Sequence, residues 1–287
     1  MCATCGCDGD AGVRVHGPGG LAQDHGAGRP RDARHDHDTG HQHDTGHQHD
    51  AGHQHDTGPA DDHGHDDGAS RTVVLQQKVL AKNDRLAGRN RAWLRERGIL
   101  AVNLMSSPGA GKTTLLERTA REAGAGLGLT VIEGDQETTL DAGRIESAGA
   151  AVVQINTGAG CHLDAAMVAR GLAALDPRPG SVLVIENVGN LVCPALFDLG
   201  EQARVVIASV TEGADKPLKY PQMFRAADLV LLSKVDLLPY LDFDTARHAA
   251  DLKSVSPRAE ILPVSATTGE GVSAWYDWLR QHTPTTR

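Results

Sequence analysis

The chain has 287 residues, and its 28 Lys and Arg against 37 Asp and Glu give it a formal net charge of −9. Residues 1–70 carry 13 Asp and 4 Arg but no Glu or Lys, so the whole negative excess lies there and the remainder is balanced. No apolar run reaches the roughly 18 residues that a transmembrane helix needs, and the first residues lack the apolar core of a secretory signal. We therefore expect a cytoplasmic protein with one globular domain, no membrane association and, because the domain is neutral, no nucleic-acid partner.

Three cysteines stand close together near the N-terminus, in the sequence Cys2-Ala-Thr-Cys5-Gly-Cys7. Thiolates are ligands for soft divalent ions, and a planar set of four donors completed by a nitrogen would select Ni(II). This spacing predicts a metal-binding motif over residues 1–7. A structural zinc half-site or a redox pair is the alternative.

A His-rich repeat follows, with four hexads of the form His-x-His-Asp-Thr/Ala-Gly over residues 35–58. Because few aliphatic side chains are present to bury, residues 8–70 are predicted to be disordered. The imidazole and carboxylate donors suit Ni(II), Cu(II) and Zn(II), so we expect a metal store or buffer; a solvating linker with incidental metal binding is the alternative. The predicted storage ligands are His35, His37, His41, His43, His47, His49, His53, His55, His63 and His65.

A helix is predicted over residues 71–97, linking the tail to the main domain of residues 98–287. Its apolar positions approximate a helical stripe, with basic residues opposite: Leu75, Val79, Leu86, Trp93 and Leu94. Such a stripe predicts a helix that covers one face of the domain.

A buried strand is predicted over residues 99–105, and Ser106-Ser-Pro-Gly-Ala-Gly-Lys-Thr-Thr114 follows it before an apolar helical run. Strand, Gly-rich turn and helix in this order form a phosphate-binding loop, whose backbone N–H groups turn towards phosphate oxygens. Lys112 is predicted to reach the β- and γ-phosphates and Thr113 to ligate Mg²⁺, while Ser106 replaces the usual first Gly. The predicted nucleotide ligands of this loop are Gly109, Ala110, Gly111, Lys112, Thr113 and Thr114.

Two further apolar strands end in acidic residues, at Asp135 and at Glu186. An acidic side chain at this edge of the sheet can hold Mg²⁺ or orient the attacking water. We therefore assign both residues, with Thr113, to magnesium and, with Lys112, to catalysis; a structural hydrogen bond is the alternative for each. No arginine finger or catalytic Gln is evident, so turnover is expected to be slow.

Residues 229–236, Leu-Val-Leu-Leu-Ser-Lys-Val-Asp, have the form of a loop that recognises a base. The carboxylate of Asp236 can accept two N–H donors that guanine presents and adenine does not. Lys234 would lie along the base, and Ser265 and Ala266 supply a second loop after the strand predicted over residues 260–264. Although Ser233 replaces the usual Asn, the pattern favours GTP and GDP over ATP.

A second set of metal ligands is predicted between the nucleotide motifs: Cys161 and His162 are adjacent, and Cys193 follows Glu186 by seven residues. Cys161 and His162 precede a helical pattern, so both side chains are expected at one helix start. Two thiolates and one imidazole make an incomplete shell for Ni(II) or Zn(II), to be completed by water, Asp164 or a second subunit. A buried, inert Cys pair is the alternative.

These residues together resemble the HypB family, the GTPases that help to insert nickel into [NiFe]-hydrogenase. The resemblance covers the N-terminal Cys cluster and residues 73–279, most specifically in SSPGAGKTTLLER, VIEGDQET, INTGAGCHLDA, IENVGNLVCPALFDLGE, VTEGADKPLKYPQMF and SKVDLLPYL. It implies a doubly wound, mostly parallel α/β sheet of the P-loop GTPase class that includes signal-recognition and MinD-like proteins. It also implies a homodimer when GTP is bound, with the metal site near the subunit interface and with contacts from Lys216 and Lys219 across the dimer.

The same resemblance implies a high-affinity nickel site at the N-terminal Cys cluster and delivery of Ni(II) to the [NiFe]-hydrogenase large-subunit precursor. A HypA-like maturation factor is an implied partner, and a SlyD-like metallochaperone is a further candidate. Urease-type insertion is an alternative, although the urease relative UreG has a Cys-Pro-His motif and this chain lacks a Pro between Cys161 and His162. The sequence is also consistent with a nickel store, or with a nucleotide switch that has no metal function.

Overall fold

The computed structural model describes residues 15–16, 67–136, 140–158 and 160–284. Two units are distinguished, Met1–Gly20 with Leu75–Arg287, and Leu21–Val74; the fold described here is that of the first. The predicted Cys motif of residues 1–7 and the predicted storage histidines lie outside the described residues. Within the described part of the chain, no helix combines the length and apolar character needed to cross a bilayer.

An eight-stranded sheet forms the centre of the described fold. Its strands are β1 (Val15–His16), β2 (Leu100–Ser106), β3 (Thr130–Asp135), β4 (Ala151–Asn156), β5 (Val182–Glu186), β6 (Ala203–Ser209), β7 (Leu229–Ser233) and β8 (Glu260–Val264). The spatial order is β1-β4-β3-β5-β2-β6-β7-β8, in which β2 to β8 are parallel and the two-residue β1 is antiparallel to β4. The carboxyl ends of seven strands therefore meet at one edge, where α/β proteins bind their ligands.

The crossover connections between the strands are mostly helical. The helices are α1 (Asp67–Glu96), α2 (Lys112–Leu127), α3 (Leu140–Ser147), α4 (Ala165–Leu175), α5 (Lys216–Lys219), α6 (Pro221–Arg225), α7 (Thr245–Val255) and α8 (Val272–His282). Three 3₁₀ turns lie at Cys193–Leu196, Val210–Glu212 and Val235–Tyr240. Parallel strands need crossovers of this length, because a tight hairpin can join only antiparallel neighbours.

Both faces of the sheet are covered, which accounts for the nearly continuous apolar runs of its central strands. On one face, strand residues such as Val102 pack with Leu116 of α2, Ile145 of α3 and Trp275 of α8. On the other, α1 and α4 cover one half of the sheet, and α6 and α7 cover the second half. Helices on both faces of a parallel sheet confirm the predicted doubly wound fold class.

The buried stripe of α1 differs from the stripe predicted from apolar spacing. Val79 is 44% exposed, whereas Asn83 and Asn90 are buried together with Leu94. The amide of Asn90 donates to the carbonyl oxygens of Ala165 and Leu199, at 2.9 and 3.0 Å. Buried amides are tolerated when they satisfy backbone groups of this kind, so hydrogen bonds add to the apolar contacts of this face. Leu94 is buried and Trp93 packs against the core as predicted, whereas Val79 departs from the predicted stripe.

Candidate nucleotide site and adjoining metal centre

The loop between β2 and α2 has the conformation that a phosphate-binding loop requires. Gly109 and Gly111 have φ angles of 71° and 102°, a left-handed backbone that L side chains rarely adopt. The Lys112 side chain is only 9% exposed, and its Nζ donates to Ser106 Oγ at 2.9 Å. Ser106, at the position of the usual Gly, therefore positions the lysine. A cavity of about 410 Å³ opens in front of this loop.

Acidic side chains from β3 and β5 form the floor of the cavity beside Lys112. Thr113 Oγ1 donates to Glu186 Oε1 at 2.8 Å, and Asp135 lines the cavity at the end of β3. Glu133 is a direct register partner of Glu186 on the neighbouring strand, and it lines the cavity too. The sequence prediction missed Glu133, although a single Glu within an otherwise apolar strand was a signal for it.

Burial and mutual repulsion determine the charges of this group. Burial, with the neighbouring carboxylates of Glu186 and Asp135, raises the pKa of Glu133 to about 9. Burial raises the pKa of Glu186 to about 7 against the opposing charge of Lys112, and burial lowers the pKa of Lys112 itself. At neutral pH Glu133 is therefore protonated, which reduces the negative charge that the cavity would direct at a phosphate.

The two loops predicted to recognise the base follow adjacent strands. Ser233 at the end of β7 pairs in register with Val264 at the end of β8, so the segments that begin at Lys234 and Ser265 are neighbours. Ser233 Oγ donates to the carbonyl oxygen of Ala110 at 2.8 Å, and Lys234 Nζ donates to that of Gly109 at 2.8 Å. Although Ser233 replaces the usual Asn, its side chain thus forms a hydrogen bond between this loop and the phosphate-binding loop.

Further residues of these two loops are placed as follows. Asp236 lies in the turn Val235–Tyr240 and is partly buried. Ser265 is fully buried, and its Oγ accepts a hydrogen bond from the Thr268 backbone N–H at 3.1 Å. The carbonyl oxygen of Ala266 accepts a hydrogen bond from Arg118 Nη1 at 2.9 Å. Ser265 and Ala266 are therefore held in a defined turn beside Lys234.

Cys161, His162 and Cys193 come together although the last is distant in sequence. One ligand atom from each lies within 4.8 Å of the others, so a single ion can contact all three. The His162 ring stacks on Phe197 with centroids 3.9 Å apart, and burial lowers the pKa of the imidazole. A neutral imidazole is the form that ligates a metal.

Two details of this centre differ from the sequence prediction. Cys161 and His162 do not project from a helix start, because α4 begins only at Ala165. Asp164, one of the candidates to complete the shell, is instead the N-cap of α4, where its Oδ1 accepts from the Met167 N–H at 2.7 Å. Capping satisfies an otherwise unpaired backbone donor of the helix and occupies Oδ1 of this carboxylate.

A buried side chain, Asn187, joins the metal centre to the phosphate cavity, which it lines. Its Oδ1 accepts from the backbone N–H of Leu163, the residue after His162, at 3.1 Å. A second link is formed by Gln136, whose Nε2 donates to the carbonyl oxygen of Gly160 at 3.3 Å. Sequence patterns did not indicate Asn187 because its role depends on a contact between separate loops.

The rim of the cavity carries Asp141 and Arg144 of α3, neither of which was predicted. Arg144 forms ion pairs with Asp141 and with Glu117 of α2.

The lysines expected to make dimer contacts lie on α5. Lys216 Nζ is 3.5 Å from Glu212 Oε2, and Lys219 Nζ is 2.8 Å from Asp215 Oδ2. Neither lysine lines the phosphate cavity of the described chain.

The sheet topology and the strand–loop–helix site define a P-loop nucleotide-binding protein. The CobW/HypB/UreG, nucleotide-binding domain family matches residues 100–263. Hydrogenase maturation factor HypB of Rhizobium leguminosarum bv. viciae is 56% identical over 209 residues, which cover 73% of this chain and 70% of that protein. The chain belongs to the HypB family of hydrogenase maturation factors.

Two solved structures are similar to the described fold. HypB from Archaeoglobus fulgidus has a TM-score of 0.66 and 44% identity, over 70% of this chain and 98% of that chain. HypB from Helicobacter pylori in complex with nickel has a TM-score of 0.66 and 36% identity, over 72% of this chain and 99% of that chain.

Proposed function

We propose that the chain is a slow, regulatory GTPase that delivers Ni(II) to the [NiFe]-hydrogenase large subunit in the cytoplasm. The observation that carries this proposal is the Cys-His-Cys cluster near the phosphate cavity, with Asn187 lining that cavity and bonded to the backbone of Leu163, the residue after His162. The names of the similar proteins support hydrogenase maturation, and the nickel complex of the Helicobacter pylori protein supports nickel as the cargo.

Nucleotide binding follows from the loop and from the two segments beyond it. Lys112, whose amine lies at the base of the loop, would contact the β- and γ-phosphates. Asp236 would accept the guanine N–H donors, with Lys234, Ser265 and Ala266 beside the base. The hydrogen bond from Ser233 to the phosphate-binding loop supports this arrangement, because it couples base and phosphate recognition.

The acidic residues of the cavity fit a magnesium ion. Thr113 and Glu186 present oxygen atoms side by side, and Glu186 Oε2 is buried without a hydrogen-bond partner. Oxygen ligands are those that Mg²⁺ prefers, and Asp135 offers a further carboxylate at the same edge. Bound there by Thr113, Asp135 and Glu186, Mg²⁺ would neutralise charge on the phosphates. Asp135 or Glu186 would orient the attacking water.

The metal centre would hold nickel as cargo for a limited time. Cys161, His162 and Cys193 give three donors, so the shell is open to completion by water or by a second subunit. An open shell permits ligand exchange, which transfer requires. Zn(II) is an alternative occupant, because the same donors suit both ions. The N-terminal residues Cys2, Cys5 and Cys7 would form a tighter site, and the His-rich tail would serve as the store.

Coupling between the two centres rests on contacts that connect their loops. Leu163 follows the metal ligands, and its side chain packs against Gly134 so closely that a Cβ there would lie 2.7 Å from Leu163 Cγ. A Cβ at Gly189 would lie 2.9 Å from the Cα of Pro108 in the phosphate-binding loop. A shift of Asp135 or of the phosphate loop on GTP binding would therefore displace residues on either side of the metal ligands.

The proposed assembly is a homodimer when GTP is bound, with the metal centre near the interface and with Lys216 and Lys219 contributing contacts. The proposed partners are a HypA-like maturation factor and the hydrogenase large-subunit precursor, with a SlyD-like metallochaperone as a further candidate. Urease-type insertion and nickel storage remain the alternative functions. Deleting residues 8–70 while keeping the N-terminal Cys motif distinguishes delivery from storage, because delivery persists when nickel is ample.

Metal analysis of the wild type and a Cys193→Ala variant, each with GDP and with a GTP analogue, tests the proposal. With enough nickel to fill the tighter N-terminal site and the tail, we expect the wild type to bind more nickel than the variant, and the size of this excess to differ between the two nucleotides. An excess of wild type over variant that is the same with both nucleotides would contradict the coupling. Absence of GTP and GDP uptake in the presence of magnesium would refute the nucleotide function itself.

A further inference from the structure

We propose that Arg144 is a second phosphate-binding cation, which turns from carboxylates on the cavity rim to the γ-phosphate of bound GTP and accelerates its hydrolysis. The proposal rests on the nucleotide site of the proposed function and adds a residue to it. In that reaction water attacks the γ-phosphorus and the bond to the β-phosphate oxygen breaks. GDP leaves with the electron pair, and the proton of the water passes to the released phosphate.

The position of Arg144 suits this role. It lies on α3, whose first turn follows the segment of Asp135, and it lines the same cavity as Lys112. Among the described residues that line the cavity, these two are the cations, and they approach it from different elements. Lys112 lies at the base of the phosphate loop and Arg144 at the rim, so together they would act on a phosphate from two directions.

The acidic groups of the cavity are not balanced by one lysine. Glu133 is protonated at neutral pH, but three further acidic residues line the cavity, Asp135, Asp141 and Glu186. A triphosphate adds further negative charge, which grows on the transferred group during hydrolysis. A guanidinium supplies two parallel N–H donors to phosphate oxygens, which matches this requirement better than a point charge does.

Arg144 is held by exposed ion pairs, which it can exchange for contacts with a phosphate. Its Nη2 donates to Glu117 Oε2 at 2.9 Å, and its Nη1 donates to Asp141 Oδ1 at 3.2 Å. The Arg144 side chain is 45% exposed, and exposed ion pairs contribute little to stability. Glu117 has a second partner, Arg121 Nη2 at 2.5 Å, so it stays paired when Arg144 leaves. Movement towards a phosphate thus leaves Glu117 with its other cation.

Arg121 provides a matched control for the test. It is an arginine on α2 that pairs with the same Glu117, but it is 61% exposed and does not line the cavity. Arg121 pairs with Glu117 within α2, so Arg121→Gln changes the charge around Glu117 while the bridge from Arg144 to α2 remains. A role on the phosphate predicts an effect of Arg144 alone.

The experiment is single-turnover GTP hydrolysis with magnesium by the full chain, comparing the wild type with Arg144→Gln, Arg144→Lys and Arg121→Gln. An arginine that contacts the transferred phosphoryl group is worth a large rate factor, so we expect Arg144→Gln to slow hydrolysis at least roughly tenfold, with a smaller effect on GDP affinity. Arg144→Lys should retain part of the rate, and Arg121→Gln should match the wild type.

Chemical rescue separates this role from a structural one. Adding guanidinium ion at low millimolar concentration should restore part of the rate of an Arg144→Ala variant and leave the wild type unchanged. Unchanged hydrolysis in Arg144→Gln, an equal loss in Arg121→Gln, or no rescue of Arg144→Ala would each overturn the proposal. Each variant is compared with the turnover of the wild type. Wild-type hydrolysis tests the proposed nucleotide site, so these outcomes would refute the role of Arg144 without refuting that site.

Discussion

Replacing Asn187 with Ala is expected to separate metal binding from nucleotide binding. The Asn187 side chain is 1% exposed; its Oδ1 accepts from the N–H groups of Leu163 and Val188 at 3.1 and 3.0 Å. Its Nδ2 donates to Asn103 Oδ1 at 3.2 Å. Truncation leaves three buried polar groups without this partner, each at a cost of about 1 kcal/mol or more, so the free energy of unfolding should fall by about 3 kcal/mol.

The effect on coupling follows from the loss of the hydrogen bond to Leu163. In the wild type, coupling of the usual size would change nickel affinity by roughly fivefold or more between the GDP and GTP-analogue states. Without Asn187, the loop that carries His162 keeps the link from Gln136 to Gly160 but loses the buried hydrogen bond to Leu163. We therefore expect the ratio of the two nickel affinities to move clearly towards one.

The assay is nickel titration with GDP and with a GTP analogue, together with urea denaturation to measure stability. Asn90→Ala is the control, because Asn90 is a buried amide with two carbonyl partners but lies away from the cavity. It should lose about 2 kcal/mol of stability and keep the affinity ratio of the wild type. An unchanged ratio in Asn187→Ala, or an equal loss of the ratio in both variants, would refute the assignment of coupling to Asn187.

Three further predictions follow from the site. Cys193→Ser should remove part of the thiolate-to-nickel charge-transfer absorption, and an identical spectrum would show that this cysteine does not ligate nickel. Ser233→Ala should weaken GDP binding about fivefold, since one hydrogen bond to the carbonyl of Ala110 is worth about 1 kcal/mol; calorimetry measures this, and equal affinity contradicts it. With nucleotide and metals removed, the stability that neutral Glu133 contributes is full below pH 4.5 and is lost as the pH rises through about 9. The melting temperature of the protein should therefore fall as the pH rises from 4.5 to 9, and it should fall less steeply in the Glu133→Gln variant.

Local patterns in the sequence were sufficient to predict the phosphate-binding loop and the fold class. A buried strand, a Gly-rich turn and a helix are contiguous, and their geometry follows from backbone conformations at Gly109 and Gly111. The parallel sheet follows in turn, because apolar strands that alternate with helical segments can pair only through crossovers. These inferences need no knowledge of which distant segments meet.

Residues whose roles depend on contacts between distant segments could not be predicted in this way. Arg144 enters the cavity only because α3 packs beside α2, and Asn83 is buried because its amide meets the carbonyl oxygen of Asp198 at 2.7 Å. Asp164, predicted as one possible completion of the metal shell, has a local role that the sequence analysis did not assign, since its Oδ1 caps α4. Glu133 could have been singled out from the sequence, but its pairing with Glu186 depends on the register of β3 and β5.

The strand order provides a physical reason for the proposed coupling between the two centres. Cys161 and His162 follow β4, and Cys193 follows β5, yet these strands are not neighbours, because β3 lies between them. The strand that separates the two halves of the metal site ends at Asp135, the residue proposed to respond to magnesium and the γ-phosphate. The backbone N–H of Thr157, on the path from β4 to Cys161, donates to the carbonyl oxygen of Asp135 at 2.8 Å. We therefore expect a displacement at the end of β3 to act between the proposed metal ligands, and the distance between Cys161 and Cys193 is the quantity that GTP would change.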